Sequence, residues 1–189
     1  MGGIPLAGIL SNADAPRALA VYDHTLRHLG EVTNNPSFRR YEVNALAGSS
    51  YPLRRLGRVV EARQRLDAAF EHLSMLNFYP SPQVKLHSEA EETLRALADY
   101  EAGNGSLASA IEIYRKLLDQ IQASKPKPET NLADALGLST IYRAEAVLER
   151  RAGHAELAST LETRSRDLWR QWDRKLPNNA FVRRQLDVE

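Results

Sequence analysis

His24 and His28 stand four residues apart, the i, i+4 spacing at which two imidazoles on one helix face can hold a metal ion. No third histidine stands nearby, so the pair reads as surface or interface histidines and no metal is expected. Glu89, Glu91 and Glu92 cluster where a helix should begin, and the macrodipole favours negative charge there. Arg54, Arg55 and Arg58, like Arg150 and Arg151, fall near expected helix C-termini, where the same dipole favours positive charge. Helix-end stabilisation accounts for both arginine clusters better than phosphate recognition does. Trp169 and Trp172 read as core and cap. No set of convergent polar groups assembles into a catalytic site, and neither an enzyme nor a cofactor is expected.

Composition narrows the function classes. The chain has 189 residues, 43% of them hydrophobic, enough to bury one substantial core in a single elongated domain. A net charge of +1, from 25 basic and 24 acidic residues, provides no global field to attract nucleic acid or membrane. The absence of cysteine excludes disulfides, thiolate metal sites and a cysteine nucleophile. No run approaches the ~20 apolar residues of a membrane span.

The elements that position these residues follow from a repeat. Gly57, Gly105 and Gly153 are 48 apart, and so are Ala62, Ala110 and Ala158. A fixed period of roughly 20–50 residues marks a stacked repeat. Each glycine separates two runs of helical periodicity. Leu86, Ala90, Leu94, Leu97 and Ala98 precede Gly105, and Ala110, Ile113, Tyr114, Leu117, Leu118 and Ile121 follow it. The small alanine, one turn into the second run, lets two helices of a hairpin approach closely. The expected fold is all-α, an α-α superhelix of antiparallel helix pairs.

Leu97-Ala98, Gly105 and Ala110-x3-Tyr114 resemble the tetratricopeptide repeat, whose pattern runs W-x2-L-G-x2-Y, A-x3-F, then P. No tryptophan opens the unit, Glu101 stands where an aromatic is usual, and the period exceeds the family's length of about 34 residues. The stretch Leu168-Trp169-Arg170-Gln171-Trp172 through Asn179, with the opening apolar and Asn-Ala-Asp stretch, resembles repeat regions attached to bacterial serine/threonine protein kinases. The chain has no glycine-rich phosphate loop, no H-R-D and no D-F-G, so that resemblance implies an interaction region, part of a longer protein. A cytoplasmic location is expected, or an extracytoplasmic one if the parent kinase is membrane-anchored.

In chain order, a half repeat spans 1–33, with Asp14-Ala15-Pro16 starting its helix and Ala18-x3-Tyr22 copying the later second helices. Residues 1–12 are too short and glycine-rich for a full helix. Repeats cover about 36–80, 82–126 and 130–176, and a cap runs over 177–189. Pro52 predicts a kink near Gly48, the second repeat's first helix runs from Pro82 to Ala102, and Asn131 or Thr130 caps the third. Phe181, Val182 and Leu186 cover the end of the stack.

Such a stack lines a concave groove with one face of every first helix. The 48-residue register aims Asn44, Tyr51 and Arg54, then Arg95 and Asp99, then Arg143 and Arg150, into one surface. Arginines there supply forked donors to carboxylates or carbonyls, so the expected partner is a protein or peptide segment. Tetratricopeptide domains that hold the acidic C-termini of heat-shock chaperones use lysine and asparagine at these places. Ala47, Tyr51, Arg95 and Asp99 stand there instead, and that ligand is not expected. The alternative is self-association through exposed terminal helices, where Leu6, Ile9 and Leu10 would offer an apolar edge.

Overall fold

Eight helices run through the computed structural model, which describes residues 8, 10, 11, 13–31 and 36–187. They are α1 (Ala15–Glu31), α2 (Pro36–Arg55), α3 (Val59–Met75), α4 (Glu89–Asn104), α5 (Leu107–Ala123), α6 (Leu132–Arg151), α7 (Ala155–Lys175) and α8 (Ala180–Asp187). No strand occurs among the described residues. Gly8, Leu10, Ser11 and Ala13 are also helical; residues 1–7, 9, 12, 32–35, 188 and 189, Leu6 and Ile9 of the expected apolar edge among them, lie outside the described residues.

Leu56-Gly57-Arg58, Gly105-Ser106 and Ala152-Gly153-His154 are the connections within three hairpins, α2/α3, α4/α5 and α6/α7. Connections this short reverse the chain and leave the partners antiparallel and packed together. The hairpins stack: α1 lies along α2, α4 packs against α2 and α3, α6 packs against α5, and α8 closes on α7. This is the all-α superhelical arrangement of paired helices that the period predicts.

The register is visible in the packing. Ala62, Ala110 and Ala158 are all fully buried, and so are Leu73, Ile121 and Trp169, again 48 residues apart. Each leucine buried in this way, Leu66, Leu73 and Leu117 among them, contributes about 1.5–3 kcal/mol from desolvation alone. Gly57 and Gly153 take positive φ, +73° and +85°, where a side chain would be strained. Gly105 does not; its φ is −124°, and what it accommodates is the Glu101 carboxylate, which lies where a Cβ would stand.

Caps fix several helix starts. Asp14 accepts the Arg17 amide, Ser106 the Ser109 amide, and Asn131 the amides of Ala133 and Asp134. The second repeat departs from the sequence expectation. Its first helix begins at Glu89, not Pro82, because His87 has a left-handed φ of +59° and Ser88 then caps, accepting from Glu91 N. Leu86 therefore lies outside the helix whose stripe it extends in the sequence. α2 continues through Gly48 to Arg55 with Pro52 in its last turn, while the Ser49 and Ser50 hydroxyls donate to the carbonyls of Leu46 and Ala47. Gly48 is where the Tyr22 ring lies on α2: a Cβ there would sit 2.6 Å from the phenol oxygen.

Trp169 and Trp172 form the closing cluster with Ala135 and Val182, flanked by Phe181 and Leu186. Both indoles are anchored, Trp169 Nε1 donating to Ser139 Oγ at 2.7 Å and Trp172 Nε1 to the Pro128 carbonyl at 2.8 Å. None of the described helices is long and apolar enough to cross a membrane.

Candidate functional site

α6 packs on α5 rather than closely along α4, and the segment before α4 and the last turn of α4 each reach it through a hydrogen bond. At the start, His87 Nε2 is 2.9 Å from the Ala133 carbonyl, and Gly137 leaves room for Leu86 and the His87 ring. At the far end, Arg151 Nη2 donates to the Ala102 carbonyl at 3.0 Å. A cleft of about 890 Å³ opens between α4, α6 and the neighbouring α2, reaching back to Gly8, Ser11 and Tyr22.

The wall on α2 and α4 is polar. Asp99 accepts two phenols, from Tyr51 at 2.8 Å and from Tyr114 at 2.7 Å. Burial pushes both phenols well above the usual tyrosine range, and the Asp99 charge pushes the same way, so both stay protonated donors. Arg95 donates to the buried Glu91 carboxylate at 3.1 Å. Burial works against its charge, but the Glu91 carboxylate outweighs it, through its charge and its hydrogen bond, and holds the guanidinium above the usual arginine range.

The opposite wall, on α6, is apolar: Ala144, Val147 and Leu148, with Val147 58% exposed. Arg54 and Arg151 close the end. Arg54 sits 5.9 Å over the Tyr51 ring, and its Nη2 lies so near Gly103 that a Cβ there would be 3.0 Å away. Arg151 reaches Ala102 from the other wall. Two guanidinium groups thus converge on adjacent residues of the last turn of α4.

Among the described residues neither of them is paired with a carboxylate, and Arg54 Nε is buried with no hydrogen-bond partner. Eight other arginines hold a carboxylate among the described residues: Arg40 holds Glu89, Arg58 Glu61, Arg63 Asp67 and Glu101, Arg65 Asp23, Arg95 Glu91, Arg115 Glu149, Arg150 Glu162, and Arg170 Asp167. A guanidinium without a carboxylate can accept an anionic group through forked hydrogen bonds.

Tyr51, Arg54, Arg95 and Asp99 line this cleft as the register expects. Three other expected residues do not. Asn44 lies a turn before Gly48, and its Oδ1 is shielded from solvent without a partner. Arg143 turns to the cap: its Nε donates to Ser165 Oγ at 3.1 Å and its Nη2 to the Gln185 carbonyl at 3.1 Å. Arg150 is drawn to α7 by Glu162, 2.6 Å away. Their places are taken by the next residues along, Ala144 and Arg151. The missing members were contained in the period, since positions 55, 103 and 151 are successive equivalents and all three line the cleft, as do 51, 99 and 147.

His24 and His28 stack with ring centroids 4.3 Å apart, and no group of three metal-binding side chains forms among the described residues. Glu145 and Glu149 are buried one turn apart between α6 and its neighbours. Arg115 Nη2 and His154 Nδ1 hold Glu149 at 2.5 and 2.6 Å, whereas Glu145 Oε2 has no hydrogen-bond partner. Burial lifts the Glu145 carboxyl to about 7, reinforced by Glu149; burial of Glu149 is outweighed by its His154 and Arg115 hydrogen bonds, which keep it below the ordinary range.

Fold and site together define a stack of helix hairpins with an arginine-ended cleft along its first helices. No protein-family model matches the chain, and comparison with curated proteins gives no match.

Proposed function

We propose that the chain is a non-catalytic interaction scaffold of tetratricopeptide-like helix pairs that captures an acidic segment of a partner protein in the cleft between α2, α4 and α6. The observation that carries this reading is the convergence of Arg54 and Arg151, both without a carboxylate, on the Ala102-Gly103 turn. An aspartate or glutamate placed between them would accept from both guanidinium groups and supply the missing counter-charge. Asp99 is not free to act as a base, since both of its oxygens already accept phenol hydrogens. The apolar α6 wall gives the ligand an area to bury.

Binding of fluorescent acidic peptides from an array, measured by anisotropy, tests the reading. Arg54→Glu and Arg151→Glu should each weaken binding by about 1–3 kcal/mol, against under ~0.5 for Arg170→Glu on the outer face. Added salt should weaken it too. Undiminished binding to the Arg54→Glu/Arg151→Glu double variant would overturn the proposal, and concentration-dependent sedimentation of that variant and the parent alike would point to self-association.

A further inference from the structure

We infer that the segment taken up by the cleft is an amphipathic α-helix that presents an acidic side chain one turn away from an apolar one; this rests on the reading of the cleft as an acidic-segment site.

The spacing comes from the two walls. Val147 and Arg151 are four residues apart on α6, so the exposed apolar side chain and the unpaired guanidinium lie one turn apart along the cleft. On α2, Tyr51 and Arg54 stand three residues apart, again with the ring about one turn before the charge. A ligand that meets both must carry its own apolar and acidic groups about 5–6 Å apart on one face, which is the i, i+4 relation of a helix.

The conformation comes from what the cleft cannot satisfy. An extended ligand exposes a backbone N–H and C=O at every residue, and each needs a partner when buried. The α6 wall offers Ala144, Val147 and Leu148, with no side-chain donor or acceptor among them. On the facing wall the oxygens of Asp99 are taken by Tyr51 and Tyr114, and Arg95 by Glu91. A helix arrives with its backbone bonds already made and needs only side-chain contacts, as in the helix-in-groove mode of recognition. The cleft is lined from α2, α4 and α6, so a helix laid along its mouth meets more than one helix surface.

The probes are capped peptides of about fifteen residues, long enough to be helical and without terminal charges. One set carries Glu and Leu four apart on a shared face, in both orders. A second has the same composition with a central proline. A third moves Glu and Leu to opposite faces. The shared-face helix should bind at least about tenfold more tightly than either control, become more helical by circular dichroism on binding, and lose about tenfold in affinity with Val147→Ser. If the proline-broken peptide binds equally well and still loses affinity with Arg54→Gln and Arg151→Gln, the acidic-segment site stands and the helical ligand is wrong. If no peptide's affinity depends on either arginine, the site itself is wrong. The glutamine variants keep side-chain length and remove only charge from half-buried and exposed positions, and unchanged thermal melting will show that they fold.

Discussion

Tyr51 and Asp99 occupy the same position in successive repeats, 48 residues apart, and the phenol of one donates to the carboxylate of the other at 2.8 Å. The hydrogen bond therefore joins equivalent points of neighbouring units, and Tyr114 completes it from the second helix of the later unit. Removing the acceptor should cost more than removing one donor. Asp99→Ala strands two shielded phenols and is expected to destabilise by about 2–4 kcal/mol, while Tyr51→Phe leaves Asp99 one phenol and should cost about 1 kcal/mol. Urea denaturation of the two variants and of Tyr114→Phe checks the order. Equal losses for Asp99→Ala and Tyr51→Phe would mean that the carboxylate is not the shared acceptor.

A pH dependence follows from Glu145. Its carboxyl titrates at about 7 in the folded chain and at an ordinary 4.5 when unfolded, so the folded state binds more protons between those values. Stability contributed by the neutral form is complete below that window, falls as pH rises through it, and levels off above about 7. Glu145→Gln should flatten this slope and raise stability at pH 8 by about 1–2 kcal/mol, because a buried carboxylate whose cation, Arg115, stands 3.9 Å away is replaced by a neutral amide. Thermal melts across pH 5 to 8 measure it. A variant whose slope equals that of the parent would assign the pH dependence elsewhere.

The small residue of each hairpin can be tested directly. Ala110 is fully buried between α5 and its neighbours, whereas Ala108 is exposed. Ala110→Leu should destabilise by about 1–3 kcal/mol through overpacking, and Ala108→Leu by under ~0.5 kcal/mol. Equal effects in denaturant titrations would remove the alanine from the packing role.

Gly48→Ala separates helix propensity from packing. In an isolated helix alanine is favoured by up to about 1 kcal/mol, but here its Cβ would fall 2.6–2.9 Å from three atoms of the buried Tyr22 ring. Net destabilisation of about 1–2 kcal/mol is expected, and Gly48→Ala combined with Tyr22→Leu should recover part of it. A stabilised single variant would show that α1 can shift off α2 without loss.

The helices, their pairing and the register of Ala62, Ala110 and Ala158 were legible in the sequence because they rest on local periodicity and on a spacing that survives in the packing. The side of α6 that faces the cleft was less so. Arg143 and Arg150 have the same helical phase as Arg95 and Arg54, yet Ser165, Gln185 and Glu162, which draw them away, lie on later helices. Competition between acceptors distant in sequence leaves no local mark. The start of α4 was misjudged for a related reason: the apolar stripe extends back through Leu86, but a left-handed His87 followed by a capping serine overrides it. The shared Asp99 acceptor was half visible, since the register placed Tyr51 and Asp99 together while nothing in the sequence brought Tyr114 to them.

The ties between successive hairpins have a mechanical consequence. Between α2 and α4 the Arg40–Glu89 and Tyr51–Asp99 contacts act as cross-braces at two heights. Across the next joint, Arg151 donates to the Ala102 carbonyl, His87 meets the Ala133 carbonyl, and Arg115 of α5 holds the buried Glu149 of α6. Both joints are thus tied by polar contacts as well as by a continuous apolar core, so sliding one hairpin along the next would break several contacts at once.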